Sequence, residues 1–339
     1  MTASRLFLCL LALLASRSVL ADQLVMNNGS LLIGNLISVD GAEVVFNTPF
    51  AGDIKIKKDN IKTIVTDSDV TLLMEDGDVF RNKRIVAEGD NMVVLSDRKD
   101  PVLFHVEDIQ LVNPEPWRLG EGYKWYGDLN TALESERGNT DTDELDLNGE
   151  SIWRSLEDRY TLRGDWEIDE SNGERNKFKW TIRAKYDRFS LADNDNYVGV
   201  QAFFNRDEFA DLNLRQAYGP YIGRQFYESS LLTLHAEVGV VYVEEDFDVA
   251  EDDDYVGSNW EARLTSEILP GLELYVNQDG VYNFREASNL IVNTRVGLRF
   301  PLIYGFTTSA EALWEYDGGA VEGVDDTDET YRFTFGYAW

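Results

Sequence analysis

Few side chains in this sequence are suited to covalent chemistry. In LTLHAEVGV, Thr233, His235 and Glu237 occupy every second position, so on a strand they share one face. A hydroxyl, an imidazole and a carboxylate are the parts of a nucleophile and base. They raise the reading of a hydrolase acting on lipid or lipopolysaccharide. The spacing places no serine partner, and the alternation turns His235 away from the apolar face that would meet such a substrate. His105, in LFHVED beside Glu107, reads as structural. The acidic run EDFDVAEDDDY at 245–255 offers oxygen ligands for calcium but lacks EF-hand spacing. No catalytic residue, metal site or cofactor is expected, and the chain reads as no enzyme.

The more extensive chemistry is ionic, and it is arranged in alternation. Tyr160, Leu162, Gly164, Trp166 and Ile168 oppose Arg159, Thr161, Arg163, Asp165 and Glu167. Phe178, Trp180, Ile182, Ala184 and Tyr186 oppose Lys177, Lys179, Thr181, Arg183, Lys185 and Asp187. The same rule sets Leu232 to Tyr242 against His235 and Glu237, and Leu290 to Leu298 against Arg295 and Arg299. Arg163, Arg183, Arg215, His235, Glu237, Arg263, Arg295, Arg299, Glu311 and Arg332 are therefore candidates for one charged interior. Glu144, Asp146, Arg154 and Lys179 join them.

Twelve strands must carry these faces. Alternation and turn residues place them at 122–136, 142–155, 158–169, 176–190, 196–206, 211–225, 230–244, 256–268, 271–284, 289–300, 304–316 and 330–339. Most exceed the usual five to six residues of a soluble strand and reach the nine to eleven that a tilted membrane strand needs. A soluble sandwich would show the same alternation. Aromatic residues near strand ends and an even strand count favour a closed membrane barrel, which leaves no sheet edge unpaired. The fold expected is all-β: a 12-stranded antiparallel transmembrane β-barrel over 122–339, preceded by two small periplasmic barrel-like repeats. Gln216 and Pro220 leave the facing of the sixth strand ambiguous.

The repeats lie at 22–66 and 67–113. A shift of 48 residues brings MNNGS onto MEDGD, Ile37 onto Ile85, Gly41 onto Gly89, and Ile61 onto Ile109. Repetition at a fixed period argues for two copies of one β unit, here Sm-like or SH3-like. Residues 114–121, with Pro114 and Pro116, read as a linker. Residues 1–21 read as a signal peptide: Arg5, then the apolar LFLCLLALLA, then Val19 and Ala21. Removing them removes the one cysteine, Cys9, and with it any disulfide or cysteine metal site. It also removes Arg5 and Arg17, leaving 31 − 2 = 29 basic against 62 acidic residues. Such acidity argues against nucleic acid as a partner.

The chain ends in YRFTFGYAW. Tyr331, Phe333, Phe335, Tyr337 and Trp339 alternate, with Gly336 among them, and this end resembles the C-terminal assembly signal of Gram-negative outer membrane proteins. The stretch WYGDLNTALESERGNTDTDELDLNGE, with its Gly138–Asn139 turn, resembles the start of the barrel in the family of salt-induced outer membrane proteins. That likeness covers roughly 121–339. It implies an outer membrane location, assembly by the barrel assembly machinery, and a role linked to salt or osmotic conditions. The front region would then lie in the periplasm, where it could meet a partner. Three functions follow as expectations: a narrow pore for small polar solutes, an anchor whose repeats dock a partner or the cell wall, and the lipid hydrolase above.

Overall fold

The computed structural model describes residues 21–89, 91–94, 101–136, 142–190, 195–229, 231–320 and 325–339. The expected signal peptide, apart from Ala21, and the Gly138–Asn139 turn lie outside the described residues. The chain forms two compact units that divide between Glu115 and Pro116.

The front unit holds β1 (Asp22–Met26), β2 (Leu31–Asp40), β3 (Glu43–Thr48), β4 (Gly52–Lys57), β5 (Ile61–Val65), β6 (Val70–Met74), β7 (Val79–Lys83), β8 (Ile85–Glu88), β9 (Asn91–Val94), β10 (Val102–Phe104) and β11 (Ile109–Val112). β1 and β6 lie 48 residues apart, as do the short 3-10 turns Lys58–Asn60 and Val106–Asp108. Gly29 (φ 84°) and Gly77 (φ 90°) close equivalent turns in a left-handed conformation that a side chain would oppose. One sheet runs β4-β3-β2-β11-β6-β7, with β1 paired to β2 and β5, and a second runs β10-β9-β8. β2 therefore pairs with β11, from the other end of this unit. Leu24, Phe46, Ile64, Leu72, Ile85 and Ile109 share one buried core. Neither half needs to close a core by itself, which chains of this length seldom achieve.

The second unit is a closed barrel of twelve antiparallel strands: β12 (Lys124–Glu136), β13 (Thr142–Arg154), β14 (Asp158–Ser171), β15 (Glu174–Phe189), β16 (Asn196–Asp207), β17 (Leu212–Glu228), β18 (Leu232–Phe247), β19 (Asp253–Leu269), β20 (Leu272–Asn283), β21 (Leu290–Pro301), β22 (Phe306–Asp317) and β23 (Thr327–Ala338). β12 pairs with β23 to complete the ring. The outward face is apolar and bare. Val198, Val200, Ile222, Val238 and Val240 are all exposed, and Phe333 is 81% exposed. Among the described residues of this unit, no second layer covers the five terminal rings. Aromatic pairs mark both ends of the wall: Trp125 stacks on Trp153 at one end and Trp166 on Trp180 at the other. An apolar wall between aromatic girdles is that of a transmembrane barrel.

Three local expectations change. The acidic connection expected at 245–255 is shorter, because β18 runs to Phe247 and β19 starts at Asp253. Glu245 stays in alternation and turns inward, where Arg215 Nε donates to it at 2.6 Å. The segment read as a linker is folded in part: Pro116–Leu119 forms a 3-10 turn and buries Trp117. The Arg154 guanidinium lies 5.1 Å from the Trp117 ring and 3.7 Å from the Phe189 ring. β17 resolves its facing with Gln216 and Pro220 on the outside and Arg215 inside, helped by irregular register near both strand ends.

Candidate functional site

The alternation brings the inward side chains of the twelve strands into one lumen, where buried charges meet partners of opposite sign. Glu261 of β19 accepts from Arg163 of β14 (3.2 Å), Arg183 of β15 (3.3 Å) and Lys185 (2.9 Å). Arg183 also reaches Asp279 of β20 at 2.9 Å. Arg163 meets Glu150 of β13 at 2.8 Å, and Arg263 meets the same carboxylate at 2.6 Å. β13 and β19 stand six strands apart in a ring of twelve, directly opposite. The Arg263–Glu150 pair thus spans the bore between opposite walls.

Further pairs brace the lumen at other levels. Arg295 meets Asp165 (2.7 Å), Lys179 meets Glu315 (3.0 Å), and Arg215 meets Asp317 (2.8 Å). Arg332 joins Glu311 at 2.9 Å and lies 3.4 Å from Asp146, while Arg299 meets Glu273 at 2.8 Å. Glu237 is held by Lys185 (2.5 Å) and by the Tyr197 hydroxyl (2.8 Å). The ten side chains chosen from alternation are placed in this lumen.

The alternation alone did not single out Glu150, Glu261, Asp279 and Asp317. Val256, Ser258, Trp260, Ala262 and Leu264 form the outward face of β19, and that pattern is the signal for Glu261. Tyr197 and Tyr221 were also missed. Their rings lie over Gly223 and Gly199, where an added Cβ would meet ring carbons at 2.3 Å in both cases. The Tyr221 hydroxyl donates to Asp187, which also accepts from Arg159 Nε at 2.6 Å. These rings fill the β15–β18 side of the lumen.

Two cavities lie among the described residues of the barrel. One, of about 360 Å³, includes Tyr126, Asp128, Asn148 and Trp339 and lies at the end where the termini meet. The other, of about 230 Å³, includes Asp207, Asp317, Asp325 and Asp328 and lies at the opposite, loop end. Arg163, Asp165, Glu261, Asn277 and Arg295 line both, so they form the partition between them.

His235 faces the first cavity. Its Nε2 lies 4.0 Å from Glu237, too far for a hydrogen bond, and its Nδ1 has no partner among the described residues. The described residues therefore do not bring it into a nucleophile–base pair. Among them, no group of His, Asp and Glu side chains is set to hold a metal ion. Tyr331, Phe333, Phe335, Tyr337 and Trp339 all point outward and are exposed, while Gly336 faces inward against Asn130.

Comparison with known proteins places these features in a family. The Uncharacterized protein YdiY of Escherichia coli (strain K12) is 25% identical over 233 residues, covering 67% of this chain and 88% of its own. Among solved structures, the NanC porin is 12% identical with a TM-score of 0.40, covering 62% of this chain and 98% of that one. The outer membrane channel DcaP of Acinetobacter baumannii is 11% identical with a TM-score of 0.31, covering 94% of each chain. Residues 129–339 match the model of the family described as "Protein of unknown function, DUF481", and the chain belongs to that family.

Proposed function

We propose that this protein is an outer membrane conduit for small polar solutes or ions, narrow and partitioned, in an envelope exposed to changing salt. One observation carries the reading: two cavities enter the barrel from opposite ends and share a single ion-paired partition. A sealed anchor would have no use for cavities lined by charge at both ends. In this reading residues 1–21 direct export, the Sm- or SH3-like repeats lie in the periplasm, and the barrel assembly machinery reads Tyr331 to Trp339.

Planar-bilayer recording tests it. The protein should give small, discrete conductance steps. Removing both Asp165 and Arg295, so that neither charge is orphaned, should raise the step roughly twofold or more by widening the partition. A silent wild type and a silent double variant would reject a conduit.

A docking role for the front unit is the second reading. Leu31, Ile33 and Ile37 are exposed along β2, a stripe of apolar surface that would suit a partner. Deletion of 22–113 should leave conductance intact and abolish only partner capture. If conductance is lost with that deletion while the barrel still folds, the front unit is part of the conduit.

A further inference from the structure

The loop-end cavity is chemically unlike its neighbour. Among the described residues, ten carboxylates and five cationic side chains line it, an excess of five negative charges, whereas seven carboxylates and six cations line the other. All five cations already have carboxylate partners. The uncompensated charge is concentrated at the rim, on Asp325, Asp326 and Asp328. One wall is apolar, built from Phe203, Val241, Val243 and Val281 of β16, β18 and β20. Near the partition, Asn259 is 7% exposed and its Oδ1 has no hydrogen-bond partner among the described residues; Gln201 Nε2 likewise has none among them. An unmet acceptor and an unmet donor in a buried setting are costly unless a ligand or water meets them.

We propose that this cavity binds a small organic cation with an apolar body and a hydroxyl at its far end. The ammonium would sit among the rim carboxylates. The body would lie against Phe203 and the valines. The hydroxyl, both donor and acceptor, would meet Asn259 Oδ1 and Gln201 Nε2. Such a division, an apolar wall with few convergent polar groups, is the usual form of a small-molecule site. The proposal rests on the conduit reading for its purpose, since it names the solute class admitted from the loop end.

Calorimetry on the full chain in detergent micelles tests it with three probes. Tyramine carries the ammonium, ring and hydroxyl; 4-hydroxyphenylacetate keeps the ring and hydroxyl but reverses the charge; phenethylamine keeps the charge and lacks the hydroxyl. Tyramine should bind roughly tenfold tighter than 4-hydroxyphenylacetate, because the rim field opposes the anion. D325N/D326N/D328N, changed only at the rim, should shrink that ratio toward one without unfolding the barrel. Asn259→Ala should weaken tyramine and leave phenethylamine unchanged. Equal binding of tyramine and the anion, an unchanged ratio in the triple variant, or no tyramine binding at millimolar concentration would each overturn the site. Tyramine binding without conductance would reject the conduit and keep the site.

Discussion

Replacing Glu261 with alanine should cost the barrel about 3–5 kcal/mol, the usual penalty for removing one partner of a buried ionic cluster. The carboxylate is 4% exposed as a residue and is shared by Arg163, Arg183 and Lys185. Its loss leaves Lys185 with Glu237, Arg163 with Glu150 and Arg183 with Asp279, each now with one carboxylate fewer in a confined space. Urea unfolding in lipid vesicles, followed by tryptophan fluorescence, reads the change, and Trp260 lies one residue away. Arg285→Ala provides the contrast. Its pair with Asp253 is exposed at the loop end, so its removal should shift stability by less than about 1 kcal/mol. Equal effects from the two variants would mean that the lumen is wet enough to screen its own charges.

The ease with which the barrel is read from sequence has a simple physical origin. A strand repeats every two residues, and a membrane wall requires every second residue to be apolar along its whole length. Once Trp166 and Ile168 face lipid, Glu167 has nowhere to go but inside. The same rule fixes the sign of each lumen position without fixing its partner. Glu150 and Arg263 are 113 residues apart in sequence and meet only because β13 and β19 fall on opposite sides of the ring. Ring position depends on strand count and tilt together, which local pattern does not encode.

The front unit shows a second limit. Its 48-residue period is plain in the sequence, yet the pairing of β2 with β11 is not. Alternation within each copy is equally satisfied whether its strands pair inside the copy or across to the other. Trp117 shows a third. Pro114 and Pro116 correctly mark a break in strand structure, but a proline-flanked tryptophan reads alike as tether or as packed turn. Its burial depends on Arg154, which lies beyond the reach of any local rule.

Gly336→Val should prevent stable closure, at a cost of about 3 kcal/mol or more, beyond the ordinary range for overpacking. Among the described residues β12 and β23 pair from Asp128 to Thr131 against Phe335 to Ala338, extended by backbone hydrogen bonds between Gly127 and Trp339, the shortest seam in the ring. Gly336 lies opposite Asn130, and a Cβ there would come 2.1 Å from Asn130 Oδ1 and 2.7 Å from the Leu129 carbonyl oxygen. The side chain could swing away, but the carbonyl belongs to the ladder. Beside it, Trp339 N donates to the Gly127 carbonyl (3.0 Å) and its ring covers the face of Gly127. The residues proposed as the assembly signal therefore also form the seam, and refolding separates the two roles. From urea into detergent micelles, with no assembly machinery present, Gly336→Val should fail to give the compact, heat-modifiable species. Phe333→Ala, altered at an outward ring 81% exposed, should refold normally there and be impaired only in cells. If Gly336→Val refolds as the wild type does, the glycine serves recognition alone and the seam tolerates a side chain that its geometry forbids.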